Sequence, residues 1–491
     1  MARKSSPKAL NPALLGVAPG ALLVFHSRVR VNLHLVRRAA DVDRWRRGNI
    51  SATVVKSNHG RSVWLVPAGS PGLYVKSFPP ELLRDRAQKE AGLLHALEKA
   101  GIPCPPLVAV ARDAKGSYLV TEEIPDARTL GSLLQEPGPH ARPLLDALGK
   151  LAKQLHDHGF DHQDFHAGNV LVRDGRLYVI YVHRARRQKS LSRIVRHEAL
   201  AFMAMSFVEH RPLGDVVRFL RAYGLADRAD WLDVWDRLRV RHHKYYEGRQ
   251  QRCFKDGTGF GVLGKLHFRK GVDLDAIQTQ VQTGPRVAVR ETRTESLYRV
   301  DETLFAKTTT PARARKIWEN AHGLAIRGID TPKLWTWDRT TVTGEWIDSL
   351  DIHEYILGTF GGLPRADRNH FLFRLARLVR RMHDHGAYHG DLKAGNVLVG
   401  EGRIAIIDLD RVRFSFDVVE KDRLFNLAQL NAAVTPPLTR TDRLRFLDYY
   451  IGRCATLRAR RGDWVPAIMA ATVARKHRWP SVDKSRASVS Q

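Results

Sequence analysis

The sequence predicts an α+β chain built as two tandem copies of one domain, and three observations lead there. At 491 residues the chain is too long for one compact core, so two or three domains is the expectation. The stretch beginning at Leu151, LAKQLHDHGFDHQDFHAGNVLVRDGRLYVIYVHRAR, returns from Leu375 as LARLVRRMHDHGAYHGDLKAGNVLVGEGRIAIIDLDRVR. Anchored on HDHG, the copies align at a constant offset of 227 residues: His156 on His383, Asp164 on Asp391, Asn169 on Asn396. The offset also carries Gly101-Ile102 onto Gly328-Ile329, and Arg218-Phe219-Leu220 onto Arg445-Phe446-Leu447. A repeat of that length is a whole domain and not a solenoid module.

Each copy reads alike locally. Leu144, Leu145, Leu148, Leu151 and Leu155 recur at helical spacing, as do Leu375, Leu378, Val379 and Met382. Gly159 and Gly386 stand where a helix ends and the next residue must turn left-handed. Two short apolar runs follow, NVLV-RDGR-LYVI and NVLV-GEGR-IAII, whose Asp-Gly and Glu-Gly turns predict β-hairpins. Helix, polar loop and hairpin, in that order, would set a loop's carboxylates beside those at a strand end.

On this basis 1–47 is an N-terminal extension and 48–250 the first domain. A basic, glycine-containing bridge covers 251–282, the second domain 283–475, and a tail 476–491. The apolar N-terminal run is broken by Pro12 and Pro19, with no clean cleavage site after it, so a signal peptide is not expected. No run reaches the roughly 20 apolar residues of a membrane-spanning helix. Cys104, Cys253 and Cys454 are too few and too scattered for a disulfide framework or a zinc site, and a reducing, cytoplasmic setting fits.

Charge narrows the partners. Lys and Arg number 80 against 51 Asp and Glu, a net charge of +29. Such an excess suits an anionic partner: nucleic acid, an anionic membrane surface or a phosphorylated glycolipid. Arginines cluster at Arg37, Arg38, Arg44, Arg46 and Arg47, at Arg184, Arg186, Arg187, Lys189, Arg193 and Arg196, and at Arg458, Arg460 and Arg461. Interleaved aromatics (Trp45, Trp464) are too few for base stacking, which favours peripheral membrane contact over RNA.

The polar loop of the second copy is His389-Gly390-Asp391-Leu392-Lys393-Ala394-Gly395-Asn396, and its hairpin ends at Asp408. This resembles the catalytic loop of the protein-kinase-like superfamily, HxDxxxxN followed by a metal-binding Asp. Phosphoryl transfer from ATP needs a carboxylate to take or orient the hydroxyl proton, which by position is Asp391. It also needs hard oxygen ligands for Mg²⁺, supplied by Asn396 and Asp408 at the two ends of one hairpin. Lys393 would neutralise the transferring phosphoryl group. Upstream, a strand lysine for the nucleotide phosphates and a helix glutamate to hold it are expected. The first copy offers Lys76 and Glu90. The second offers Lys307, but Glu90 falls on Ile317, and Glu319 is rotated by about 200° along a helix. Neither copy has a GxGxxG loop; SNHGRSV and TRTESLYRV stand in its place. In the first copy Asp164 and Asn169 survive, but Tyr181 aligns with Asp408, which marks a degenerate domain. Asp174, in the hairpin turn, reads as a turn former.

With IDLDR after the second hairpin, and RGIDTP and GIPCP after the N-lobe helices, HGDLKAGNVL is similar to the bacterial lipopolysaccharide kinase family, which phosphorylates Kdo or heptose of the lipid A inner core. The resemblance implies two tandem bilobal kinase-like domains, ATP with Mg²⁺, and a sugar hydroxyl on an anionic glycolipid as acceptor. Only 13 residues separate Asp408 from Asp422, too few for a long activation segment. Two other readings remain open here: a RIO-like atypical protein kinase with RNA-associated partners, and a non-catalytic tandem pseudokinase scaffold. The histidines at 156, 158, 162, 166, 383, 385 and 389 are expected to brace the loops by hydrogen bonding in preference to binding a metal.

Overall fold

The computed structural model describes residues 38, 41–42, 44, 52–58, 61–80, 85–113, 116–400, 402–432 and 438–475. The N-terminal extension falls almost wholly outside the described residues, as does the C-terminal tail. The chain divides into two units, 1–241 and 242–491, within the helix Arg228–Gln250.

In the first unit, β1 (Thr53–Asn58), β2 (Arg61–Val66) and β3 (Leu73–Phe78) precede helix α1 (Arg86–Lys99), which is followed by β4 (Leu107–Asp113) and β5 (Gly116–Glu122). They form an antiparallel sheet in the order β1-β2-β3-β5-β4. Asp85 caps α1 by accepting a hydrogen bond from the Gln88 N–H. A helical part follows, centred on α2 (Ala141–Asp157). All five leucines that predict this helix are buried in one core. Its chain reverses at Gly159, with φ of 76°, where a Cβ would lie 1.9 Å from the Gln188 carbonyl oxygen. Any side chain there would collide with backbone, so glycine is required. The hairpin β6 (Val170–Arg173) and β7 (Arg176–Val179) turns through Asp174 and Gly175, both at positive φ, as a type I′ turn demands. Helices α3 (Arg193–Met205) and α4 (Leu213–Tyr223) follow, and α5 (Arg228–Gln250) leads onward.

The second unit repeats the plan with a larger sheet. Strands β8 (Phe260–Leu263) and β9 (Leu266–Arg269) lie in the segment expected to be a bridge. Next come β10 (Val287–Glu291), β11 (Ser296–Arg299), β12 (Leu304–Thr308), α6 (Pro311–Ala325), β13 (Leu334–Asp338) and β14 (Thr341–Glu345). The seven strands run β8-β9-β13-β14-β12-β11-β10. The expected boundaries are therefore corrected. Residues 251–282 are not a linker, and the division falls at 241/242 instead of 250/251. The glycines that suggested a linker serve a hairpin instead: Gly264, at φ of 59°, takes the first place of the two-residue turn between β8 and β9. Helix α7 (Arg365–Asp384), hairpin β15 (Val397–Gly400) and β16 (Arg403–Ile406), then α8 (Glu420–Ala432), α9 (Arg440–Ile451) and α10 (Arg461–Ala474) complete the unit.

One polar arrangement occurs twice at the 227 offset. Arg196 reaches the Asp157 carboxylate, the Tyr223 hydroxyl and the His156 carbonyl. Arg423 reaches Asp384, Tyr450 and the His383 carbonyl in the same way. Arg196, counted in sequence among surface cations, is thus a structural residue. So is Trp464, which is buried in the second core.

Candidate active site

The second unit's site is assembled from the loop before β15 and the residue after β16. Asn396 opens the hairpin, and the Ile407 N–H donates to its carbonyl at 2.9 Å, so the two strand ends abut. Asp408 follows in the left-handed region (φ 59°, ψ 55°), beginning a short 3₁₀ turn. The Asn396 amide nitrogen donates to the Asp391 carbonyl at 2.8 Å, leaving its amide oxygen as the donor for a cation. Lys393 Nζ lies 3.2 Å from Asp391 Oδ2. Lys307, on β12, places Nζ 3.4 Å from Asp408 Oδ1. Burial pushes the Asp408 carboxyl up, but the cations Lys307 and Arg313 outweigh it and hold the group below the usual carboxylate range.

The loop is held from beneath by side chains that sequence reasoning passed over. His389 donates from Nε2 to the Ile407 carbonyl, and its Nδ1 accepts the Asp391 N–H at 3.0 Å. That pairing fixes the neutral tautomer, and burial lowers the ring's pKa accordingly. On α8, Asn426 accepts from His383 Nε2 at 3.0 Å and donates to the His389 carbonyl at 2.6 Å. Gln429 accepts the Leu392 N–H at 2.9 Å and donates to the Gly390 carbonyl at 3.2 Å. Tyr450 closes the chain against His383 Nδ1 at 2.7 Å. Both amides are almost fully buried, and each both donates to and accepts from the loop backbone. The signal was present in KDRLFNLAQL, an apolar helix carrying two amides three residues apart, which puts them on one face.

The partner of Lys307, left open by the sequence, is not Glu319. Glu319 accepts from Gln250 and Gln251, and no ion pair ties it to Lys307. Aligned on Gly328, Glu90 falls on Ile317; aligned on Lys307, it falls on Ala321. Both are buried apolar residues one turn apart on the same face of α6, so that face has become core. Lys307 instead pairs with Glu295 at 3.1 Å.

In the first unit, Lys76 and Glu90 do meet, at 2.6 Å, with Glu90 buried. Asn169 donates to the Asp164 carbonyl at 2.9 Å. Tyr181 occupies the Asp408 position with nearly the same backbone (φ 57°, ψ 46°), and the Lys76 ammonium lies 4.9 Å from its ring centre. Asp174 is exposed in its turn and has no part in this cluster. His166 stands in place of Lys393, 3.9 Å from Asp164. Ala199 and Phe202 replace Asn426 and Gln429, so the double-amide support is absent from this copy.

The chain matches the lipopolysaccharide kinase (Kdo/WaaP) family over residues 39–223 and 306–450, one stretch in each unit. It belongs to that family. Its membership agrees with the resemblance read from HGDLKAGNVL. Curated relatives include the 3-deoxy-D-manno-octulosonic acid kinase of Vibrio cholerae, 32% identical over 95 residues, covering 18% of this chain and 40% of the relative. That of Actinobacillus succinogenes is 38% identical over 92 residues, covering 18% and 38%. The match thus spans about 40% of the length of these relatives. Among solved structures, WaaP in complex with acyl carrier protein is 23% identical, with a TM-score of 0.37, covering 44% of this chain and 98% of that one. Spectinomycin phosphotransferase APH(9)-Ia, in complex with ADP and spectinomycin, is 12% identical at a TM-score of 0.31, covering 40% and 82%.

An apolar cavity of about 420 Å³ also lies in the second unit, lined by residues such as Ile356, Phe371 and Leu447. None of Asp391, Asn396 or Asp408 lines it, so the carboxylate chemistry is located elsewhere.

Proposed function

We propose that the second unit is an ATP- and Mg²⁺-dependent phosphotransferase, and that its acceptor is a sugar hydroxyl of a lipopolysaccharide-type glycolipid. The observation behind this reading is the convergence of Asp391, Asn396 and Asp408 on one hairpin base, with Lys307 beside Asp408. The donor set fits Mg²⁺: a carboxylate and an amide oxygen, both hard, with Asp408 kept ionised by its neighbours. When bound, the ion would neutralise charge on the nucleotide phosphates. Lys307 orients those phosphates. Asp391 takes the proton from the acceptor hydroxyl as its oxygen attacks the γ-phosphorus, and ADP leaves. Lys393 balances charge on the phosphoryl group in flight. The first unit, with Tyr181 in the ligand position, serves a regulatory, scaffolding or substrate-binding role.

An anionic acceptor suits the net charge of +29. Arg184, Arg186, Arg187 and Lys189 are exposed, available for peripheral contact with an anionic membrane from the cytoplasmic side. No helix among the described residues is long and apolar enough to cross a membrane. The buried amide support beneath the second loop favours catalysis over a scaffold, since a vestigial loop has no use for it.

The test measures Mg²⁺-dependent ATP binding and turnover by the full chain, beside Asp408→Asn and Asp164→Asn, with Kdo-containing glycolipid as acceptor. Loss in Asp408→Asn alone supports the second unit as the enzyme. Absence of Mg²⁺-dependent ATP binding by the wild type refutes the proposal.

A further inference from the structure

The first unit shows how a strand lysine is held in this fold: Lys76 is gripped by Glu90 from the helix packed on the sheet. The second unit has turned that helix face apolar with Ile317 and Ala321, yet Lys307 is not left to Asp408 alone. We infer that Glu295, in the turn between β10 and β11, is the positioning residue for Lys307, a role moved from a helix to the turn of a hairpin. This inference rests on the phosphotransferase reading above.

Four observations support it. Glu295 is buried, with its side chain only 7% exposed, where an uncompensated carboxylate would be costly. It is flanked by two cations: Oε1 lies 3.1 Å from Lys307 Nζ, and Oε2 lies 3.1 Å from Arg313 Nη1. Arg313, in the first turn of α6, is itself anchored through Nε to Asp410 Oδ2 at 2.8 Å. Its guanidinium is raised above its ordinary pKa by that hydrogen bond, which outweighs burial, with Glu295 and Asp408 adding to it. The turn is stiffened in its own right: the Thr292 N–H donates to the Glu295 carbonyl at 2.8 Å, and the Glu295 N–H donates to Thr292 Oγ1 at 3.1 Å. Glu295 is thus fixed at its backbone and at both carboxylate oxygens.

The arrangement has a mechanical consequence. Asp408 and Asp410 lie two residues apart in the 3₁₀ turn after β16, and the chain Asp410–Arg313–Glu295–Lys307–Asp408 closes a ring of ion pairs around it. The ring links the β10–β11 hairpin, helix α6 and the turn that holds Asp408. In the first unit the carboxylate that grips Lys76 comes from α1. In the second, any movement of the β10–β11 turn moves the lysine with it. That turn stands where a glycine-rich loop would cover the phosphates, so phosphate cover and lysine placement are one device in the second unit.

The experiment compares full-length wild type, Glu295→Gln, Glu295→Asp and Glu319→Gln, reading ATP and adenosine affinities and the kcat and KM of ATP turnover. Lys307→Ala is added alone and with Glu295→Gln. Expected are an ATP affinity at least fivefold weaker in Glu295→Gln, unchanged adenosine affinity, partial rescue by Glu295→Asp, and Glu319→Gln within twofold of wild type. Glu295→Gln adds nothing in the Lys307→Ala background, because it acts through that lysine. Equal loss of ATP and adenosine binding would mark a merely structural role and overturn the inference, as would an unaffected Glu295→Gln. A wild type that binds no ATP sinks the phosphotransferase reading as well, whereas an active wild type with a silent Glu295→Gln sinks this inference alone.

Discussion

The two halves of this chain have lost opposite parts of one site. The first keeps the lysine–glutamate pair, Lys76 and Glu90, and has Tyr181 where the second has Asp408, the proposed metal ligand. The second keeps Asp391, Asn396 and Asp408, and has exchanged the helix glutamate for core. What survives in both is backbone. Tyr181 and Asp408 share a left-handed conformation within about 10°, although aspartate adopts it readily and a tyrosine is strained in it. The strand-to-3₁₀ turn imposes the conformation, and the side chain there is free to change once chemistry no longer selects it. Part of the strain on Tyr181, of the order of 1–3 kcal/mol, is offset by Lys76 over its ring, an interaction of about 0.5–2 kcal/mol.

The comparison breaks most readily at the loop carboxylates. Asp391→Asn should cut ATP-dependent phosphoryl transfer by about 10²–10⁴-fold, while Asp164→Asn leaves it within twofold; steady-state assays of both variants decide this. Equal losses would mean that the halves act jointly, contrary to the assignment of roles. Support beneath the loops gives a second contrast. Asn426→Ala strands the buried His383 and His389 groups, and should cost about 2–6 kcal/mol of stability at about 1–3 per unsatisfied group. Denaturant titration resolves it, with activity falling in parallel. The first half, with Ala199 at that position, has no such interaction to lose.

Acid should weigh on both halves, and more on the second, where burial also pushes His322 down to about 4. Burial pushes both His156 and His383 down to about 3. Each stays neutral when folded but takes a proton near pH 6.5 when unfolded. Folding stability is therefore full above pH 6.5 and falls as the pH drops from 6.5 towards 3, by at most about 1.4 kcal/mol per pH unit per histidine. Denaturant midpoints measured at pH 7, 6 and 5 should fall in both halves, and further in the second. A half whose midpoint did not move would show that its histidine is not held neutral. The smallest expected change is a gain. In an Asp408→Asn background, Tyr181→Asp should relieve the left-handed strain and bring weak Mg²⁺-dependent ATP binding to the first unit. Calorimetric titration that detects none would show that more than the ligand was lost there.

Much of this molecule was legible locally. The 227-residue repeat, the Asp174-Gly175 turn, the glycines after each long helix and the HxDxxxxN loop depend on neighbours in the chain, or on comparison of the chain with itself. Propensity and spacing read such features well, because the forces that set them act over a few residues. The strands in 260–269 were missed because glycine signals a tight hairpin turn as well as a linker, and only pairing with β13 distinguishes the two. The partner of Lys307 was missed for a related reason. Ion pairing follows distance in space, and Glu295 lies on another strand turn while the nearby Glu319 points elsewhere. Asn426 and Gln429 read as polar residues on an ordinary helix until packing set them under the loop. The sequence by itself determined the duplication, the local elements and the residues of the HxDxxxxN loop and its following Asp. Tertiary structure alone decided which charges meet, because burial removes water as the competing partner and leaves each buried polar group to whichever neighbour the packing brings within reach.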